Sequence, residues 1–137
     1  MPEPRHARGL IDTSLLIELE RVNPVDLPTE LALSAITLAE LAAGPHATTD
    51  SDERARRQDR LQRAEATFEP LPVDADVARA YGRVYAAVVA GGTKARGRRA
   101  LDLLIAATGL ANDLPVYTRN PDDFEDLAPL IDVVSVP

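Results

Sequence analysis

The sequence predicts an α/β fold of three layers, a mainly parallel central sheet with helices on both faces. Three observations lead there. Short apolar runs of strand length alternate with longer segments of helical periodicity, which is the pattern of crossover connections. No apolar run approaches the roughly 18 residues of a membrane-spanning helix. At 137 residues, with 45% hydrophobic and 27% charged residues, the chain fits one domain, residues 1–137, able to bury a single core.

The elements follow in order. "RGLID" reads as a short buried strand, and "TSLLIELE" as a helix whose Leu15, Leu16 and Leu19 recur at helical spacing. "LALSAIT" is a second strand, and "TLAELAAGP" a short helix stopped by Gly44 and Pro45. Residues 51–68 form an exposed, highly charged helix with Leu61, Ala64 and Phe68 as its apolar stripe. Asp52 with Arg56, Glu53 with Arg57 and Asp59 with Arg63 are its i,i+4 pairs. "PLPV" is a connection or an edge segment, since two prolines do not both fit a central strand.

A further helix begins near Asp74 and ends at Gly91 and Gly92, with Val77, Tyr81, Val84, Tyr85 and Val88 on its core face. "TKARGRR" reads as a basic loop. The strongest helix, "RRALDLLIAATGLAND", follows with Leu101, Leu104, Ile105 and Thr108 inward. "PVYT" and "VVSV" are two more strands around a short helix at "PDDFEDL". In such sheets, sites form beyond the carboxyl ends of the strands, and Asp12 ends the first strand.

The net charge of -7 is unusual for a protein that grips nucleic acid, yet nine of the 15 basic residues fall in residues 54–63 and 94–99. A basic surface can therefore coexist with an acidic pocket. The absence of cysteine excludes disulfides and thiolate metal sites, so any metal site uses oxygen or histidine. "MPEPRHARGL" lacks the apolar stretch of a secretory signal, and a cytoplasmic location is expected. Gly-rich nucleotide signatures are absent, since "AGG" follows a helix, which sets cofactor dehydrogenases aside. His6 and His46 lie in loop-like sequence without an obvious Ser or Cys partner and read as bystanders.

Each acid near the strand ends has a local explanation. Asp12 sits where an Asp often caps a helix. Glu40 closes a "TLAE" capping box in which Thr37 is the cap. Asp102 stands in a first helical turn, where it favours the macrodipole, but its neighbours in "ALDLLIAA" are apolar. In "YTRNPDDFEDL", Asn120 suits a cap, Pro121 the first helical position, and Asp122 and Asp123 the first turn. Four acids at one end of one sheet are harder to explain locally. Carboxylates sharing a pocket repel unless some are protonated or a cation lies between them, and oxygen ligands favour Mg²⁺ or Mn²⁺.

The blocks "IDTS", "TLAEL", "LDLLIAATG" and "YTRNPDDF", in this order and spacing, resemble a PIN-domain ribonuclease of the VapC toxin type, over nearly everything from Gly9 onward. The resemblance implies a PIN-like α/β/α domain and a catalytic, metal-binding set of Asp12, Glu40, Asp102 and Asp123. Thr118 and Asn120 match polar positions beside the metal, and Thr13 or Ser14 would orient Asp12 or a water. It implies an Mg²⁺- or Mn²⁺-dependent endoribonuclease that cuts RNA with a metal-activated water, a VapB-type antitoxin as partner, and a homodimer. RNA contacts are expected from Arg98, Arg99 and Arg119, with Arg56, Arg60 and Arg63 as an outer clamp. That second set reads equally as a salt-bridged, solvated face.

Two alternatives come from other classes. A PIN-like module that binds RNA or protein without cutting keeps the same fold. A phosphoacceptor domain expects paired acids near the first strand and a lysine after a late one, whereas Asp12 stands alone and the sole lysine is Lys94.

Overall fold

The computed structural model describes residues 6–92 and 98–137. Four strands form one sheet: β1 (Arg8–Ile11), β2 (Glu30–Ala32), β3 (Val116–Thr118) and β4 (Val133–Ser135). Their order is β2-β1-β3-β4 and every pairing is parallel, so the chain steps to one side of β1 first and to the other side later. That reversal opens a crevice at the carboxyl ends of β1 and β3.

Five helices complete the layers: α1 (Thr13–Ile17), α2 (Ala35–Ala43), α3 (Ser51–Thr67), α4 (Ala75–Ala90) and α5 (Arg98–Ala111). The period-two alternation of the strands divides the core. Leu10, Ala32 and Val116 face Val77, Val84 and Val88 of α4 and Leu103, Ile105 and Ala106 of α5. Ile11 and Tyr117 face the opposite side, where Leu33, Leu15, Val22, Leu27 and Val136 cover them. Each fully buried Leu or Ile contributes roughly 1.5–3 kcal/mol relative to exposure, so both faces are specified by burial.

Several sequence expectations need correction. The first helix is only Thr13–Ile17, and a separate 3-10 turn at Leu19–Arg21 carries the remainder. The second strand ends at Ala32, and α2 begins at Ala35 with Ser34, not Thr37, as its cap, because Ser34 is extended and its hydroxyl accepts from the Ile36 amide at 3.0 Å. The "PLPV" segment holds to the sheet edge through one bridge, in which the Leu71 amide donates to the Leu33 carbonyl at 2.8 Å.

Along α3, Arg57 and Arg63 form the expected pairs with Glu53 and Asp59, whereas Arg56 pairs with Glu53 at i,i+3, not with Asp52. Asp52 lies in the first turn, next to the cap supplied by Asp50. On α4, Tyr85 is 45% exposed and Tyr81 only half-buried, and the buried residues are Val77, Ala80, Val84 and Val88. On α5, Leu101 is 37% exposed and Leu104 is half-buried. The buried arc runs instead through Leu103, Ile105, Ala106, Ala107 and Thr108, since α5 is packed by α4 and by α2. The helix at "PDDFEDL" is a single 3-10 turn, Pro121–Phe124. Of the basic loop expected over residues 93–99, residues 93–97, with Lys94, lie outside the described residues, as does the side chain of Arg98, while residues 98 and 99 already belong to α5. No helix among the described residues is long and apolar enough to cross a membrane.

Candidate active site

Asp12 follows β1 directly and caps α1, its Oδ1 accepting from the Leu15 amide at 2.9 Å. The cap explanation is therefore right, but it uses only one oxygen. Oδ2 accepts from the Thr118 hydroxyl at 2.6 Å, and Thr118 in turn accepts from the Asn120 amide at 3.0 Å. Asp12 is 3% exposed. Burial pushes its carboxyl above the ordinary value of 3.8, against the lowering effect of the bonds from Thr118, Leu15 and Ser14, and the Asp123 charge pushes in the same direction as burial.

Beside it lies a cavity of about 390 Å³ lined by Thr13, Ser14, Glu40, Arg99, Asp102, Asn120 and Asp123. Three of the four expected acids thus reach one cavity, from α2, α5 and the turn after β3. The fourth, Asp12, is joined to its rim by Ser14, whose hydroxyl lies 3.3 Å from Oδ1. Thr13 serves a different acid from the one expected, donating to Oε1 of Glu40 at 2.7 Å. Asn120 does not cap the following turn; its side-chain amide faces the Ser14 hydroxyl at 3.4 Å.

The donors of this cavity are carboxylates, hydroxyls and an amide oxygen, a set suited in kind to a hard divalent cation. Among the described residues, no three His, Asp or Glu side chains are arranged to hold an ion together. The chemistry of the set fits Mg²⁺ or Mn²⁺ in kind.

The arginines divide. Arg99 lines the cavity, its two terminal nitrogens donate to the Asp122 and Glu125 carbonyls at 3.3 Å, and its buried Nε has no hydrogen-bond partner among the described residues. Arg119 donates to Glu18 at 2.5 Å. Arg56 and Arg63 are held in ion pairs on the outer face of α3, whereas Arg60 lines a neighbouring groove of about 570 Å³ with Ile17, Leu41 and Leu101. That groove also touches Thr13 and Glu40, so it opens beside the acids. Ile17, at 43% exposed, and Leu101, which periodicity had assigned to the core, form apolar surface there.

Sequence reasoning missed the role of Thr37. It is fully buried, and its hydroxyl lies 2.9 Å from that of Thr13. The signal was present in "SAITLAE", where two hydroxyl residues three apart compete for one cap position. His6 has structural contacts outside the site. It bonds the Tyr117 hydroxyl at 2.9 Å and Asp132 at 3.3 Å, at the end of the sheet away from the acids.

Comparison with known proteins agrees with this geometry. The PIN domain family matches residues 9–129. The chain is 38% identical over 124 residues to Ribonuclease VapC5 of Mycobacterium tuberculosis, covering 88% of each protein. It is likewise 38% identical over 109 residues to Ribonuclease VapC8 of the same species, covering 79% of this chain and 96% of that one. Among solved structures, VapBC-5 of Mycobacterium tuberculosis, a member of the VapBC family of toxin-antitoxin systems, superposes with a TM-score of 0.79. Its identity is 34%, over 95% of this chain and 99% of the other. The acids gathered by the sheet reversal are thus found on a scaffold shared with these proteins, and the chain belongs to the PIN domain family, among its VapC-type members.

Proposed function

We propose that this protein is an Mg²⁺- or Mn²⁺-dependent endoribonuclease, the toxin of a VapBC-type pair, acting on RNA in the cytoplasm. The observation that carries the reading is the cavity on which Glu40, Asp102 and Asp123 converge beside the buried Asp12. The names of its relatives, ribonucleases at 38% identity, support the substrate class.

The residues that would hold the metal are Asp12, Glu40, Asp102 and Asp123. When bound there, the ion would lower the pKa of the attacking water and stabilise charge on the phosphate. The chain's own contribution is orientation. The Leu15 amide and the Thr118 hydroxyl fix both oxygens of Asp12, and Thr13 fixes one oxygen of Glu40. Ser14 and Asn120 present a hydroxyl and an amide to the cavity, suited to hold a phosphate oxygen or a water, and Arg99 places a cation at its wall. Cleavage by water in line with the 3′ oxygen leaves a 5′ phosphate.

The test is incubation of the purified protein with RNA and Mn²⁺, beside an Asp102→Asn protein. Cleavage with 5′-phosphate ends that disappears in the variant is expected; intact RNA with the unaltered protein would sink the reading. A VapB-type antitoxin is proposed for the groove beside Glu40, whose exposed Ile17 and Leu101 are apolar surface of the kind partners cover. Co-purification of a small protein with the chain tests this. The homodimer implied by the family resemblance is checked by sedimentation.

One observation favours a second reading. With no three acids set to hold an ion among the described residues, a non-cutting PIN-like module that binds RNA or protein would have the same fold. Mn²⁺ binding without any cleavage would select it.

A further inference from the structure

Thr13 occupies a singular place: it is bonded through the chain to Asp12, and its hydroxyl is bonded to Glu40. It therefore ties together two acids from different elements, Asp12 just past the end of β1 and Glu40 on α2. A hydroxyl has one proton to give. Since the Thr13 proton is directed at the Glu40 carboxylate at 2.7 Å, the 2.9 Å contact with Thr37 must use the Thr37 proton, with Thr13 accepting. The result is a directed chain, from the Thr37 hydroxyl to the Thr13 hydroxyl to Oε1 of Glu40.

Thr37 lies one turn before Glu40 on α2 and is fully buried, so it has no access to the cavity or to anything bound there. Its bond holds the Thr13 hydroxyl in the one rotamer that points its proton at Glu40. Thr13 is itself only 6% exposed, so water is poorly placed to substitute for the missing donor. Without Thr37, the Thr13 hydroxyl is free to turn, and Glu40, half-buried on a helix with a long side chain, loses its fixed position.

We infer that Thr37 is a positioning residue which sets Glu40 for metal binding by donating its hydroxyl to Thr13. The inference rests on the proposed metal-dependent function for its consequence, but not for its geometry. Outer partners of metal-binding side chains typically change affinity about 10- to 100-fold when removed, and an effect in that range is expected here.

The experiment uses Thr37→Val, which keeps the shape and removes the donor, Thr37→Ser, which keeps the donor, and Thr37→Val combined with Glu40→Gln. Mn²⁺ alone is the probe, read as the concentration that gives half of the full rise in melting temperature. Thr37→Val should need about tenfold more Mn²⁺. Thr37→Ser should need the same amount as the unaltered protein, and Thr37→Val should add nothing once Glu40→Gln is present. An equal loss in the Glu40→Gln background would overturn the inference, because Thr37 would then act by another route. A crystal structure of metal-free Thr37→Val separates this from the functional reading. Displacement of Glu40 from Thr13 is expected, and retention of the 2.7 Å contact would overturn the positioning role whether or not the protein binds Mn²⁺. Failure of the unaltered protein to respond to Mn²⁺ would count against the metal-dependent function and against the metal consequence inferred for Thr37, leaving the crystal structure to decide the geometry.

Discussion

The hydroxyl of Thr118, at the end of β3, donates to Oδ2 of Asp12, just past the end of β1, at 2.6 Å. This bond crosses the point where the strand order reverses and fixes the most buried acid of the site. Burial still wins over the bonds, since the Asp12 carboxyl is pushed above 3.8.

The consequence for stability has a definite sign. A native carboxyl that holds its proton more tightly than the unfolded chain does contributes stability that is fully present below 3.8 and is lost as pH rises through the raised native value. Metal-free protein at neutral pH therefore carries the cost of a buried charge. Asp12→Asn removes the charge while keeping an oxygen for the Leu15 amide, so it should melt at a higher temperature in EDTA at pH 7. The gain should vanish in acid below 3.8. The same variant should lose RNA cleavage about 100-fold or more, the equivalent of the several kcal/mol that a bound ion supplies. Melting curves across pH, beside cleavage assays, check both halves.

Gly9 and Tyr117 make a second specific contact. A Cβ on Gly9 would stand 2.6 Å from Cε1 of Tyr117 and 3.0 Å from Pro28, a clash that only movement of the ring can relieve. Tyr117 is 3% exposed, and its hydroxyl is held by His6. Gly9→Ala should therefore cost about 1–3 kcal/mol as overpacking, read by urea denaturation, while leaving the acids at the far end of the sheet in place. A variant as stable as the unaltered protein would show that the ring has room.

Much of this was legible in the chain. Short apolar runs bounded by polar residues named all four strands, and "VARAYGRVYAAVV" named α4, because burial on both faces of a parallel sheet forces such runs. The alternation of strands and helices placed the acids at one end of the sheet, but the meeting of Glu40, Asp102 and Asp123 in one cavity depends on β1 lying inside the order β2-β1-β3-β4, which spacing does not give. Leu101 and Tyr85 were misplaced because periodicity registers apolar character, not whether a neighbour arrives to cover it. The capping box "TLAE" is intact in sequence and points to Thr37 as the cap; the chain is extended at Ser34 and turns helical at Ala35, which moves the helix start three residues earlier.

Arg119 was expected at the RNA, and the structure places its guanidinium on Glu18 instead. Both side chains are about one-third exposed, so the pair is an exchangeable surface interaction worth little by itself. RNA phosphate can therefore compete for Arg119. Glu18→Gln should tighten RNA binding and Arg119→Ala should weaken it, with the salt slope of the latter lower by about one. The measurement is RNA affinity of the Asp102→Asn background against salt concentration. An unchanged slope in Arg119→Ala would remove Arg119 from the contact surface.

A final prediction concerns the relative placement of α2 and α5, the helices that carry Glu40 and Asp102. Ser34 and Thr108 are both fully buried, and their hydroxyls lie 3.2 Å apart. Thr108 gives its proton to the Leu104 carbonyl at 2.9 Å, so Ser34 is the donor between the two helices, while also accepting from the Ile36 amide. Thr108→Val keeps the volume but leaves the Ser34 proton without an acceptor in a dry place, which costs about 1–3 kcal/mol. Ser34→Ala in the same background removes that stranded donor, so the double variant should recover part of the loss, limited by the weaker helix cap. Urea denaturation of the two single variants and the double variant decides it: strictly additive losses would mean that the hydroxyls do not interact across the helix interface.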